Sequence, residues 1–174
     1  DFTVCDTAHS LRVYTTRPDT IFGVDFMVIA PEHSLVAALT TAEQQKTVEE
    51  YVAWVKSRSE RERMAEKKIS GVFTGSYAQH PFDANRKIPI WIAEYVLAGY
   101  GTGAIMAVPG HDERDYEFAT QYQIPIVQVV AAASADGPQA DLSVAAFCEL
   151  GVAVNSGPWD GMRTEDVKQR ITAD

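Results

Sequence analysis

The sequence has few cysteines, and no apolar run is long enough to cross a membrane. Its two cysteines, Cys5 and Cys148, lie far apart and form no Cys-x-x-Cys pattern, which argues against a disulfide framework and a cysteine-rich zinc site. The four histidines are scattered, without the spacing of metal ligands. We therefore expect free thiols, no bound metal and a reducing, cytoplasmic environment.

Positive charge is also scarce, since 15 basic residues face 24 acidic ones and the net charge is −9. Nonspecific binding to DNA or RNA depends on many lysine and arginine contacts with phosphate, so this balance argues against a general nucleic-acid binder. The hydrophobic fraction of 46% is ordinary for a globular protein. Without a linker or an internal repeat, we expect one domain over residues 1–174, and mixed, mostly non-alternating segments suggest the α+β class.

The most informative stretch lies near the middle of the chain, from Gly101 to Tyr116. Residues 104–108 form an apolar run of strand length, and Pro109-Gly110 prevents it from continuing as strand or passing smoothly into helix. Asp112 then stands at the expected N-cap of a helix that runs to about Tyr122.

Two carboxylates occupy the start of this helix. The unpaired N–H groups of the first turn and the positive end of the helix dipole favour Asp112 and Asp115 as anions. Such a carboxylate suits a primary ammonium ligand, with which it makes a charge-assisted hydrogen bond. The alternative is that both residues are only helix caps. Asp115 lies beyond the cap position and is expected to be freer to point at a ligand.

A second polar stretch, Thr15-Thr16-Arg17-Pro18-Asp19-Thr20, separates an alternating strand from an apolar one. Its composition also fits an ordinary polar hairpin loop.

Other segments predict local secondary structure, and one resembles a nucleotide-binding motif. Gly99, Gly101 and Ala104 match a loose dinucleotide-binding fingerprint, but an apolar strand follows them where that site needs a helix, so we reject it. Residues 56–63 are polar all round and predict a solvated face. Residues 126–130 predict a strand, and Thr164 is the expected cap of a final helix through Ile171.

The two stretches together read TTRPDT and GTGAIMAVPGHDERDYEFA, with GVFTGSYAQHPFDANRKIPIWIAEYVLAGY between them. This combination resembles the editing domain of bacterial-type leucyl-tRNA synthetases from about Leu11 to Ile126. The related valyl and isoleucyl editing domains share the general architecture but differ in motif sequence. In the valyl kind, for example, Thr-Arg-Pro is usually followed by Glu. The resemblance implies a β-barrel-like core with peripheral helices, inserted in, and here excised from, a larger class I synthetase.

The resemblance also implies functions for individual residues. Asp115 matches the position that binds the substrate α-ammonium, and Thr20 matches the residue that obstructs leucine. Thr15 and Thr16 match the threonines that line the ester. Arg17 matches a residue near the tRNA 3′ end, and Tyr100 one near the terminal adenosine. Met106 and Val108 would line the side-chain pocket, with His111 and Asp112 as supporting residues.

The implied activity is hydrolysis of mischarged tRNA(Leu) carrying isoleucine, methionine or norvaline-like residues. An aminoacyl ester is already activated toward water, so positioning and oxyanion stabilisation suffice without a covalent nucleophile or cofactor. ATP and Mg²⁺ would belong to the parent synthetase. The expected partners are the terminal adenosine of tRNA and the rest of that enzyme, with no membrane and no DNA. Valyl- or isoleucyl-type editing, a noncatalytic aminoacyl or nucleotide-binding module, and a docking domain remain alternatives.

Overall fold

The computed structural model describes residues 1–134 and 136–172 and divides the chain into two compact units. The first contains Asp1–Tyr14 and Phe26–Met106, and the second contains Thr15–Asp25 and Ala107–Asp174. Each unit is therefore assembled from two separate pieces of chain. The expectation of a single editing domain remains a prediction.

The first unit is built on β-structure. A short antiparallel pair joins β1 (Phe2–Thr3) to β2 (Ser10–Leu11). The main sheet has the order β4-β5-β3-β6, formed by β3 (Phe26–Ile29), β4 (Gly71–His80), β5 (Asp83–Ala93) and β6 (Ala104–Ala107). β5 is antiparallel to β4 and parallel to β3, with Met27 opposite Ile90. All four residues of β3 are buried, which explains why this strand is continuously apolar.

Three helices accompany this sheet in the first unit: α1 (Val36–Leu39), α2 (Gln45–Lys56) and α3 (Glu60–Glu66). α3 begins with a reciprocal capping box between Ser59 and Glu62. The expectation of a solvated face over residues 56–63 is wrong for two arginines. The Arg63 side chain is only 2% exposed and pairs with Glu32 at 3.1 Å, and Arg58 is ion-paired with the buried Glu94.

The second unit contains the threonine stretch and everything after β6. Its elements are a 3-10 helix over Pro18–Gly23, α4 (Glu113–Tyr122), β7 (Val130–Ala131), β8 (Val152–Ala153), a 3-10 turn over Gly157–Trp159, and α5 (Thr164–Ile171). β7 and β8 form an antiparallel pair. Only the end of the strand expected over residues 126–130 forms, as part of β7.

α5 begins one residue earlier than the sequence predicted. Arg163 is the N-cap residue, and Thr164 is the first residue of the helix. The Thr164 hydroxyl accepts a hydrogen bond from Gly151 N at 3.0 Å, so this side chain joins the helix to the segment before β8 instead of capping its own N-terminus.

The mixed α+β class is confirmed. Within the residues that the structure describes, the sheets are open, with four, two and two strands, so the expected barrel-like core is not confirmed. None of the helices in the described part of the chain is long and apolar enough to cross a membrane.

Candidate functional site

The corner between β6 and α4 forms as the sequence predicts. Asp112 is the N-cap of α4, and its Oδ1 accepts hydrogen bonds from Arg114 N at 2.9 Å and Asp115 N at 3.1 Å. Gly110 is required here because a Cβ at this position would lie 2.5 Å from the carbonyl oxygen of Val127. These bonds make the exposed Asp112 the N-cap of α4, and its expected supporting role in the site remains a prediction.

Asp115 is held more firmly than the sequence indicates. Its side chain is buried, and Oδ2 accepts a hydrogen bond from Val108 N at 2.8 Å across the corner. The expectation that this residue is freer than Asp112 is therefore wrong. The structure instead gives a carboxylate fixed in place at the N-terminus of α4, where the helix dipole stabilises its negative charge.

His111 fastens the same corner to three backbone groups. Nε2 accepts hydrogen bonds from Val129 N at 2.8 Å and Val130 N at 3.0 Å, so Nδ1 carries the proton and donates to Phe147 O at 2.7 Å. Burial lowers the pKa of His111, the Phe147 bond raises it and Arg17 lowers it further. Both ring nitrogens of His111 are thus bonded to backbone groups, and its expected supporting role in the site remains a prediction.

The threonine stretch folds into a tight turn and the 3-10 helix. Thr15 Oγ1 accepts a hydrogen bond from Arg17 N at 3.0 Å, whereas Thr16 is exposed. Thr20 is buried, and its hydroxyl donates to Arg17 O at 2.9 Å. This bond fixes the rotamer of the β-branched Thr20 side chain.

Asp19, for which the sequence predicted no role, is a main partner of Arg17. The guanidinium holds the buried carboxylate through Nε at 3.1 Å and Nη2 at 3.0 Å, and Nη1 lies 3.5 Å from Cys148 O. Lys168 Nζ is 4.0 Å from the same carboxylate. An arginine two residues before an aspartate was the available signal for this pair.

The structure brings the threonine stretch and the corner together within the second unit. Asp25 N donates to Ala107 O at 3.2 Å, and a Cβ on Gly23 would lie 3.2 Å from Val108 Cγ1 and 2.7 Å from Val129 Cγ2. The 3-10 helix that carries Thr20 therefore ends against the residue whose N–H binds Asp115. These two motifs are about 90 residues apart in sequence.

Two of the expected site residues belong to the first unit. Tyr100 lies in the loop before β6 and is 84% exposed, and Met106 is buried in β6. Their expected roles remain predictions. Val108, in the second unit, is buried beside Gly23.

A metal centre has no counterpart among the residues described, since no group of three or more histidine, cysteine, aspartate or glutamate side chains is placed to hold an ion. The geometry provides a fixed anion, several hydroxyl groups and a backbone-anchored histidine. These groups can bind and orient a polar ligand.

A model of the leucyl-tRNA synthetase editing domain matches residues 1–174. The leucine–tRNA ligase of Rhodopirellula baltica is 52% identical over 168 residues, covering 94% of this chain and 18% of that protein. The enzyme of the same name from Cytophaga hutchinsonii is 52% identical over 171 residues, covering 98% and 18% respectively.

A solved structure is similar as well. The crystal structure of a LeuRS–tRNA–LeuAMS ternary complex of Agrobacterium radiobacter K84 matches with a TM-score of 0.65 and 33% identity, covering 80% of this chain and 16% of that one. The chain thus spans about a fifth of the length of the curated relatives it matches. On the family match over its whole length and these identities, the chain belongs to the editing-domain family of leucyl-tRNA synthetases.

Proposed function

We propose that this chain hydrolyses the aminoacyl ester of tRNA(Leu) mischarged with isoleucine, methionine or norvaline-like residues and spares leucine. Membership of the leucyl-type family favours this over valyl- or isoleucyl-type editing. The observation that carries the proposal is the buried Asp115 carboxylate, fixed by Val108 N at 2.8 Å in the same compact unit as the threonine stretch.

In this proposal Asp115 anchors the substrate through its α-ammonium group. An aminoacyl ester always carries this cation, and a fixed carboxylate binds it through a charge-assisted hydrogen bond without reorganising. Thr15 and Thr16 would present hydroxyl groups to the ester, with water as the attacking group. Because the ester is already activated, holding it beside an aligned water supplies the catalysis, and no cofactor is required.

Thr20 would give the selectivity. Leucine and isoleucine have the same number of atoms, so a sieve based on size alone cannot separate them. The bond from Thr20 Oγ1 to Arg17 O fixes χ1 of Thr20 and therefore fixes its methyl group. A methyl group held against the γ-branch of leucine would exclude the correct product, while isoleucine and unbranched side chains bend away.

The proposed substrate end is the terminal adenosine of tRNA, with Arg17 and Tyr100 beside it and Met106 and Val108 lining the side-chain pocket. The net charge of −9 fits a domain that handles only this end, while the rest of the synthetase holds the tRNA. The structural relative was solved with tRNA, which supports this partner. The protein would work in the cytoplasm, with ATP and Mg²⁺ used elsewhere in the parent enzyme.

The test is deacylation by the full-length synthetase that contains this chain. We expect Ile-tRNA(Leu) to be hydrolysed rapidly and Leu-tRNA(Leu) to persist. Asp115→Ala should abolish hydrolysis of Ile-tRNA(Leu) while aminoacylation with leucine continues. If the wild-type enzyme binds Ile-tRNA(Leu) without consuming it, the chain is a noncatalytic binding module and the proposal is wrong.

A further inference from the structure

Two tyrosines in the first unit present their rings to solvent. Tyr14 is 77% exposed and Tyr100 is 84% exposed. Neither ring makes a ring contact or a side-chain hydrogen bond with any residue that the structure describes. Other exposed aromatics differ in this respect, since Tyr77 meets Phe73 edge-on with centroids 5.5 Å apart. Tyr14 and Tyr100 thus leave most of a large planar ring accessible to a ligand.

A hydrogen bond connects the two backbone segments that carry these tyrosines. The hydroxyl of Thr102, two residues after Tyr100, donates to the carbonyl oxygen of Arg12, two residues before Tyr14, at 2.5 Å. His33 forms a hydrogen bond with the backbone of Thr102 and lies against Gly103, where a Cβ would be 3.3 Å from His33 Cδ2. The loop that carries Tyr100 is therefore fastened to the segment that carries Tyr14.

The basic residue nearest to Tyr14 in sequence is already paired with a carboxylate. Arg12 is the nearest cation in sequence to Tyr14, and both its Nε and Nη2 are engaged by the Asp1 carboxylate at 2.8 Å. An exposed tyrosine ring suits a flat, uncharged aromatic ligand, and unpaired nucleobases stack on such side chains whatever their sequence.

The position of Tyr14 in the chain connects this surface to the proposed reaction. A single peptide bond joins Tyr14 to Thr15, so their α-carbons are about 3.8 Å apart. Resting on the proposed editing function, we propose that Tyr14 stacks the unpaired base that precedes the terminal adenosine, while Tyr100 contacts the adenosine itself. Tyr14 is then a positioning residue that holds the RNA end and takes no part in the chemistry.

The experiment compares two substrates in the full-length synthetase that contains this chain. One is Ile-tRNA(Leu), and the other is 2′-isoleucyl-adenosine, which lacks the preceding base. Tyr14→Ala should raise KM for Ile-tRNA(Leu) about tenfold with little change in kcat, because stacking one base on an aromatic ring contributes on the order of this factor. The same variant should hydrolyse 2′-isoleucyl-adenosine as the wild type does.

Matched variants separate stacking from other roles. Tyr14→Phe should restore the wild-type KM because the ring is kept, whereas Tyr14→Leu should not. Tyr77→Ala, which truncates another exposed tyrosine of the same unit, should leave both substrates unaffected. The effect of Tyr14→Ala should also persist at high salt, since stacking involves no counterion release.

Three outcomes would overturn the inference: an unchanged KM for Ile-tRNA(Leu) in Tyr14→Ala, an equal loss on both substrates, or an equal effect of Tyr77→Ala. The first of these would leave Tyr14 available for contact with another protein surface. A wild-type enzyme that fails to hydrolyse either substrate would instead contradict the proposed editing function. The two failures are therefore distinguishable in one set of measurements.

Discussion

The carboxylate of Asp115 and the backbone N–H of Val108 are joined by a 2.8 Å hydrogen bond that closes the corner between β6 and α4. Seven residues apart, they connect the end of the strand to the first turn of the helix. The negative charge of Asp115 and the geometry of the corner therefore depend on the same side chain, and substitutions can be chosen to separate them.

Asp115→Asn keeps an acceptor for Val108 N and removes the charge. We expect near-normal folding and a loss of Ile-tRNA(Leu) deacylation of at least about 100-fold, since a charged hydrogen bond contributes roughly 1.5–3 kcal/mol and positioning adds to it. Single-turnover deacylation measures the loss, and circular dichroism checks folding. Glu113→Gln, which removes an exposed charge from the same helix turn, should keep full activity. Equal activity of Asp115→Asn and wild type would exclude an ammonium anchor.

Thr20 can be varied one group at a time. Thr20→Ser keeps the hydroxyl that donates to Arg17 O and removes the methyl group, whereas Thr20→Val does the reverse. If the methyl group excludes leucine, Thr20→Ser and Thr20→Ala should hydrolyse Leu-tRNA(Leu), and Thr20→Val should spare it. The lifetime of Leu-tRNA(Leu) is the measurement. An unchanged lifetime in both Thr20→Ser and Thr20→Ala would refute the blocking role.

Arg17 has a structural partner as well as a proposed RNA contact, and the two roles predict different results. Arg17→Ala should lower the free energy of unfolding by about 2 kcal/mol, because the buried Asp19 carboxylate loses its main partner while Lys168 remains nearby. It should also weaken tRNA binding. Asp19→Asn should destabilise the fold while leaving tRNA binding intact, because it keeps the guanidinium. Equal weakening by both variants would show that Arg17 acts only through the fold.

The stability of the chain should depend on pH through His111 and His33, whose pKa values are both lowered by burial. The unfolded chain binds protons at about pH 6.5, where the folded chain resists them. Stability is therefore complete above about pH 6.5 and falls as the pH drops toward the lowered pKa values. Urea unfolding at pH 7.5 and 5.5 should show this loss, and His111→Gln should reduce it. A pH-independent midpoint would contradict the neutral, buried state of His111.

Gly110→Ala should disrupt the corner, since the new Cβ would lie 2.5 Å from the Val127 carbonyl oxygen. We expect a loss of about 1–3 kcal/mol in the free energy of unfolding. Gly99→Ala is the matched control, because no atom lies within 4 Å of its Cβ position, and its effect should be within about 0.5 kcal/mol. Similar stabilities for the two variants in denaturant titrations would show that the corner is able to relax.

Short-range signals in the sequence predicted the site's framework. Pro109-Gly110 ended the strand, Asp112 capped α4, and the helix ended at Tyr122, because each of these features depends on residues within a few positions. The resemblance to a family supplied the roles that local patterns do not contain.

Longer-range partners were not predictable in this way. His111 bonds to backbone groups 18 to 36 residues further along, in a stretch without strong periodicity. Arg58 and Arg63 lie in a segment of mixed charge, and their burial depends on Glu94 and Glu32, which come from distant parts of the chain. Composition alone treats such arginines as solvated, because buried cations are rare unless paired.

The hydrogen bonds of His111 have a consequence for the proposed hydrolysis. Its Nε2 lone pair already accepts hydrogen bonds from Val129 N and Val130 N. If Nε2 took a proton from water, it could no longer accept these two bonds. The ring would then release the segment that it tethers to the start of α4. General-base assistance at this imidazole would thus break the contacts that hold the start of α4 beside Asp115, so we do not expect His111 to deprotonate the attacking water.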